Sequence, residues 1–284
     1  MITVLEAINL STEYLHKKGV ESPRLNAELL LAHILNCKRL NLYLMFDRPL
    51  NENETNQYRE FLSRRGKREP LQYIIGITEF YNVTLKIDSR ALIPRPETEM
   101  LVEIIVNQNK DKEYLTFLDI GVGSGCITIA LLKNLKNSVA TGIDVSDDAM
   151  SLTKENLLLN NINDNIHLIK FNALEDDYSK LGKFDFVVSN PPYVSKEEYE
   201  NLQPELKNYE PKIALTDNEN GKKFYEMIIK NSNHILNSKG KLFFEITPSI
   251  AEEVKALFAA NNFNNINLIK DLSNNFRIIY GEKE

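Results

Sequence analysis

The chain has 284 residues, of which 43% are hydrophobic and 26% charged, with a net charge of −6. That length suits two domains, or one large domain with an extension, in an ordinary globular protein. The acid excess argues against a chain that lives on nucleic-acid phosphates, where affinity comes from Lys and Arg. No apolar run approaches the roughly 18 residues of a membrane span, and Cys37 and Cys126 are too far apart, with no flanking His, for a disulfide framework or zinc site.

The opening stretch MITVLEAINLSTEYLHKKG carries Glu6 and Glu13 and lacks a basic leader. It reads as an amphipathic helix rather than a signal peptide, which predicts a cytoplasmic protein. Val4, Leu5, Ile8 and Leu15 recur there at helical spacing. SPRLNAELLLAHIL predicts a second helix, with Ser22 as N-cap, Pro23 at the first helical position, and Leu25, Leu29, Leu30, His33 and Ile34 along one side. A third helix is expected from Glu52 to Arg65. Residues 1–70 thus read as a small helical domain. RRGKR at 64–68, the densest basic cluster, reads as a solvated helix end, with contact to a protein or RNA partner as the alternative.

Over residues 71–93 the period changes. YIIGITEFYNVTLKID is rich in β-branched and aromatic residues, broken at Gly76 and Asn82, and predicts a β-hairpin linker. A helix is expected from near Glu97. From Tyr114 onward strands alternate with helices: YLTFLDI, SVATGIDV, NIHLIKF, FDFVVS and GKLFFEI are strands, and INLIKDLSNNFRIIYG closes as a strand pair. Ser146 is the expected cap of the helix after SVATGIDV. Such alternation predicts an α/β domain over residues 94–284, with a mostly parallel sheet covered on both faces. Ligands of such sheets bind at the carboxyl ends of the strands.

Two strand ends carry chemistry. LDIGVGSG turns from a strand into a helix through Gly121, Gly123 and Gly125, where glycines permit positive φ and close approach of a ligand. The spacing G-x-G-x-G departs from the dinucleotide pattern G-x-G-x-x-G, because position 126 is Cys. Asp144 ends the next strand and suits a ribose diol, whose two hydroxyls it can accept. No Lys or Arg occurs between residues 114 and 132, so a cationic or neutral nucleoside fits better than a phosphate-bearing one. S-adenosylmethionine has the required ribose, ammonium and sulfonium. The alternative for Asp144 is a helix-capping or solvated acid.

Asn190, Pro191, Pro192 and Tyr193 follow the strand FDFVVS. A planar NH2 group has two coplanar donors and a delocalised lone pair. Two acceptors can fix its orientation: the Asn190 side-chain oxygen and the backbone oxygen of Pro191, a residue with no competing N–H. Pro191 also holds Asn190 extended. Pro192 stiffens the loop, and Tyr193 offers a flat face. Methyl transfer to such a nitrogen needs positioning more than a strong base. That agrees with the scatter of His16, His33, His167 and His234, none of which is a catalytic candidate.

On these residues the chain resembles the HemK/PrmC family, the release-factor glutamine methyltransferases. The resemblance covers nearly the whole chain: SPRLNAELLLAHIL, LIPRPETEMLVE, FLDIGVGSGCITIAL, GIDVSDDAMSLTKEN, FDFVVSNPPYV, YEPKIAL and DLSNNFRIIYG follow in order. It implies a seven-stranded, Rossmann-like class I methyltransferase domain behind a helical substrate-recognition domain. It implies S-adenosylmethionine against Gly121, Val122, Gly123, Ser124, Gly125 and Asp144, with Asn172 and Ala173 on the adenine side, Asn190 near the methyl group, and Arg95 and Glu97 to Glu99 at the pocket's edge. No metal is expected. Asn190, Pro191, Pro192 and Tyr193 would grip the glutamine of the GGQ motif in peptide chain release factors, giving N5-methylglutamine. Neither a membrane nor direct nucleic-acid binding is expected.

Three positions depart from the family pattern. Val122 replaces a frequent Thr, and Asn172 and Ala173 stand where an acid and a larger residue are usual. FFEIT also lacks a frequent Gly. Three other readings remain open at this stage: a ribosomal-protein glutamine methyltransferase, an N6-adenine nucleic-acid methyltransferase, whose acceptor has the same planar geometry and would need base flipping on duplexes, and a non-catalytic S-adenosylmethionine-binding translation factor.

Overall fold

A computed structural model describes residues 2–284. The chain forms two compact units, one reaching from the N-terminus to Ile77 and including Gln203–Tyr209, the other comprising Thr78–Leu202 and Glu210–Glu284.

The first unit is helical. Helix α1 (Val4–Lys17) opens with a capping box in which Thr3 and Glu6 satisfy each other's backbone N–H groups. It buries Val4, Ala7, Ile8 and Leu15. α2 (Pro23–Ile34) starts at Pro23 as expected, but Ser22 is left-handed at φ 47° and its side chain caps nothing. The Asn26 amide instead donates to the Glu21 and Ser22 carbonyls. The buried stripe of α2 is Ala27, Leu30 and Leu31, while Leu25 and His33 are exposed. Leu30 thus buries as the sequence predicts and Leu29 and Ile34 are half-buried, while Ala27 and Leu31 bury in place of Leu25 and His33. A 3-10 turn (Arg39–Leu44) and α3 (Glu52–Gly66) complete the packing, with Tyr58 Oη donating to Ala27 O at 2.9 Å.

The basic cluster is not a solvated helix end. Arg65 is buried, donating to Asn26 Oδ1 (2.8 Å) and Glu205 Oε1 (2.9 Å). Arg68 grips both oxygens of Glu205 at 2.6 Å, and Arg64 pairs with Glu69. Glu205 lies in Gln203–Tyr209, the segment that joins this unit from far along the chain.

A short helix α4 (Leu71–Ile75) precedes the hairpin, so residues 71–75 are not strand. Gly76, at φ 81°, ends it. β1 (Ile77–Phe80) and β2 (Val83–Lys86) then pair around Tyr81 and Asn82, both left-handed.

The second unit continues with α5 (Pro96–Asn109), β3 (Leu115–Ile120), α6 (Cys126–Asn134), β4 (Ser138–Asp144), α7 (Asp147–Leu159), β5 (Ile166–Lys170) and β6 (Phe184–Ser189). After β6 come the short helices α8 (Lys196–Glu200), α9 (Pro204–Tyr209) and α10 (Lys212–Leu215), of which α9 belongs to the first unit. α11 (Lys223–Ile235), β7 (Leu236–Glu245), α12 (Ala251–Ala260), β8 (Phe263–Lys270) and β9 (Phe276–Lys283) close the chain. Ser146 caps α7 as expected, accepting from Ala149 N.

The seven strands run in the order β5-β4-β3-β6-β7-β9-β8, parallel except for β9. The central strands are apolar on both faces because helices cover both. Alternate residues feed two cores: Leu118, Val187 and Phe244 face one, and Phe117, Phe186 and Phe243 the other. In the second core Phe117, Phe186, Phe243 and Tyr280 form a ladder across four strands, with ring centroids 4.9, 6.0 and 5.3 Å apart. The chain leaves β3 for β4 on one side and returns as β6 on the other. That is the topological switch point, and the crevice beyond its strand ends is where ligands bind in such sheets.

Candidate active site

Beyond β3 the backbone turns through Gly121, Val122, Gly123, Ser124 and Gly125 into α6. The three glycines have φ of 78°, 57° and 82°, the left-handed region that L side chains disfavour. Gly121 N and Val122 N both donate to Ile143 O, at 2.9 and 3.0 Å. Helix α7 secures the loop's far side: Thr153 Oγ1 donates to Gly123 O (2.8 Å) and Asn156 Nδ2 to Ser124 O (2.9 Å). A Cβ at Gly121 would project into open space, whereas one at Gly125 would meet Thr153 Cγ2 at 3.0 Å and Ile129 Cδ1 at 3.1 Å. The first glycine thus leaves a cradle open, and the third lets α6 and α7 approach.

Asp144 closes β4 opposite this loop. Its Oδ2 accepts from Gly123 N at 3.0 Å and its Oδ1 from Ser146 N at 2.9 Å. Burial raises its carboxyl above the usual range, against those backbone donors. Each oxygen takes one backbone hydrogen and keeps lone pairs for a ligand. Asp119, beneath the loop, is buried and accepts from Thr128 Oγ1 at 2.6 Å. Burial, with the Asp144 charge adding to it, pushes its carboxyl up to about 7.

At the end of β6, Ser189 Oγ donates to Ile120 O at 2.7 Å, binding the two strand ends together. Asn190 follows, half-buried, with Nδ2 donating to Thr98 Oγ1 at 3.2 Å. Thr98 Oγ1 in turn donates to Glu245 Oε2 at 2.6 Å. Beyond the prolines, Val194 N donates to Leu215 O and Lys196 N to Glu219 O. Gly221, at φ 77°, packs so closely here that a Cβ would fall 2.3 Å from Tyr193 O.

One cavity of about 350 Å³ joins the two strand ends. Gly121, Val122, Gly123, Ser124, Asp144, Asn172, Ala173, Asn190, Pro191, Pro192 and Arg95 all line it. Gly125, Glu97 and Tyr193 fall outside the lining. Gly125 is spent on helix packing, and Glu97 turns toward Arg277 Nη2, 4.0 Å away. The Tyr193 ring packs half-buried against the core rather than standing as a cavity wall. The Asn172 side chain serves its own loop, accepting from Leu174 N and donating to Glu175. The four histidines are exposed, and both cysteines are free and partly buried.

Arg95 and Arg90 are the cations of the lining, and both are paired: Arg95 donates to Glu210 Oε1 at 2.5 Å, and Arg90 to Asp88 and Glu155. Glu210 also accepts from Ile93 N, so a single buried acid fixes the loop before α5. Glu245 and Gly221 were not singled out in the sequence; Thr98 falls within the expected pocket edge from Glu97 to Glu99, and Glu210 within YEPKIAL, without a role of its own for either. A charged residue in an apolar strand, as in FFEI, is the signal that could have marked Glu245. Among the described residues no helix is long and apolar enough to cross a membrane.

A seven-stranded sheet of this order, with a glycine loop, an acid and an Asn-Pro-Pro-Tyr turn at neighbouring strand ends, defines a class I methyltransferase. A solved methyltransferase from Pyrococcus furiosus shares the fold, with a TM-score of 0.51 over 70% of this chain and 88% of that one at 18% identity. Residues 6–76 match the PrmC N-terminal domain, and residues 96–206 the methyltransferase small domain. A release factor glutamine methyltransferase of Fusobacterium nucleatum is 42% identical over 98% of this chain and 78% of its own length. Another, of Rhodopirellula baltica, is 37% identical over 99% and 96%. The chain belongs to the release factor glutamine methyltransferase family.

Proposed function

We propose that the protein transfers a methyl group from S-adenosylmethionine to the side-chain amide nitrogen of the GGQ glutamine in peptide chain release factors. The observation that carries this reading is the single cavity lined by both the glycine loop with Asp144 and the Asn190–Pro192 turn. The residues present fit that cofactor: the Asp144 oxygens retain lone pairs for a diol, Gly121 leaves open space, and both arginines of the lining are already neutralised by acids. When bound, the sulfonium supplies an electrophilic methyl group. Asn190 and Pro191 supply two acceptors for the two N–H hydrogens of a planar amide, and so orient its nitrogen in line. The nitrogen turns acidic only as it is alkylated, so water can take the proton, consistent with a lining that contains no histidine among the described residues.

An adenine methyltransferase would use the same acceptor geometry but would need a basic surface for the phosphates. Arg64, Arg65 and Arg68 of the densest basic cluster are bound to Glu69 and Glu205, which favours a protein substrate. The test is incubation with methyl-labelled cofactor and three separate candidates: a release factor, ribosomal proteins and DNA. Label on the release-factor glutamine amide is expected. Label confined to DNA or to ribosomal proteins, or cofactor binding with no label on any of them, overturns the reading.

A further inference from the structure

An asparagine side chain ends in two groups of nearly equal size and opposite polarity. A site that uses the oxygen must keep the amino group turned away. If Asn190 presented its NH2 to a substrate amide, donor would face donor, and the desolvated pair would go unmade.

The structure supplies a directional chain behind Asn190. Glu245 ends β7 and is buried, 2% exposed; in its ionised form the carboxylate only accepts from its neighbours. Thr98, in the first turn of α5 and also 2% exposed, gives its one hydroxyl proton to Glu245 Oε2. That hydroxyl is left with lone pairs only, and the group it faces on Asn190 is Nδ2. The oxygen is the other end of the same planar amide, on a residue that lines the cavity. Glu245 is held in turn: Tyr225 Oη donates to its backbone oxygen at 2.8 Å. These contacts join residues 92 and 147 positions apart in the chain.

We propose that Thr98 and Glu245 are positioning residues that set the polarity of the Asn190 amide, turning its oxygen toward the N–H of the substrate. The inference rests on the substrate-gripping role of Asn190 proposed above. Neither residue belongs to the Asn-Pro-Pro-Tyr turn or to the glycine loop.

The test is a double-mutant cycle on methyl transfer, with cofactor affinity measured alongside. Thr98→Val, which keeps the shape and loses the hydroxyl, is expected to lower kcat on the order of 10²-fold through a misplaced acceptor. Thr98→Ser keeps the hydroxyl and is expected to restore kcat to within about threefold. Thr98→Val added to Asn190→Ala is expected to cost nothing further, since the amide it sets is gone. Cofactor affinity should be unchanged throughout. If Thr98→Val slows both backgrounds equally, Thr98 acts through something other than Asn190 and the proposal is wrong. If Asn190→Ala is slow while Thr98→Val turns over normally, the relay is wrong although the gripping role stands. If Asn190→Ala itself turns over normally, the underlying reading fails and the relay with it. Should Thr98→Val not fold, Glu245→Leu provides the same cycle, because it removes the acceptor of the Thr98 hydroxyl proton and frees that proton to turn toward Asn190. No difference between Glu245→Leu and the unmodified protein would equally overturn the proposal.

Discussion

The two strand-end loops that share the cavity are held in different ways. The glycine loop is held by backbone: three positive φ angles and amide hydrogens that reach Ile143 O and Asp144. Its side-chain supports, Thr153 and Asn156, both come from α7, the helix that follows the next strand. The Asn190 loop is held by side chains and by backbone recruited from afar: Thr98 on α5, Glu245 on β7, and the segment from Leu215 to Gly221. A loop that offers its backbone to a ligand can be built locally from glycines. An acceptor that must present one atom with the correct polarity needs neighbours that define that polarity.

The largest break in this comparison is Asn190→Ala. Removing one preorganised polar contact should lower methyl transfer by about 10²–10³-fold. A cofactor titration should be unchanged, because the glycine loop does not depend on the Asn190 side chain. A matching loss of cofactor affinity would show that the two loops are not separable. On the other side, Asp144→Ala should weaken cofactor binding by about 10–100-fold, the range of a lost charge-assisted hydrogen bond. It should also loosen the loop itself, since Gly123 N and Ser146 N lose their acceptor. An unaltered titration would remove Asp144 from the ribose.

This difference also explains what the sequence disclosed. The glycine loop and Asp144 could be read because their partners lie within about one βα unit, at spacings that carry their own geometry. The alternating strands and the Ser146 cap were legible for the same reason. Ser22 misled because a residue type cannot report its own φ; the neighbouring Asn26 took over the local carbonyls. Helices α8, α9 and α10 span only four to six residues, too short to show a period. RRGKR looked solvated because its partner Glu205 lies 140 residues from Arg65. Tyr193 looked like a substrate wall, and only the fold shows its ring turned into the core. Thr98 and Glu245 are likewise an ordinary helix threonine and strand glutamate until the sheet brings them to Asn190.

Gly221→Ala sharpens the comparison at smaller scale. The site has φ 77° and a backbone oxygen, Tyr193 O, in the path of any Cβ. That atom is backbone rather than the end of a flexible side chain, so the Asn190 loop must shift. Turnover should fall about tenfold, through misplacement and left-handed strain, with cofactor affinity retained. Equal turnover would mean that the turn tolerates displacement, and that Thr98 and Glu245 alone hold it.

The smallest effect expected is on stability, and it separates the two loops by pH. Burial pushes Glu245 up to about 7, with Glu97 raising it further while Thr98, Asn190 and Arg277 oppose; Tyr193 and Tyr225 also pack close to it. Its ordinary value is 4.5, so between that pH and about 7 the folded state holds a proton that the unfolded chain has released. Stability from this group is therefore complete below about 4.5 and is lost as the pH rises through 7. Between pH 6 and pH 8 the loss should be about 1 kcal/mol. Glu245→Gln has no such proton, so its denaturation midpoint should fall less over this range than that of the unmodified protein. Asp119, also near 7 and on the glycine-loop side, remains in both proteins and cancels from the difference. A difference that stays flat from pH 6 to pH 8 would mean that Glu245 does not titrate in that window.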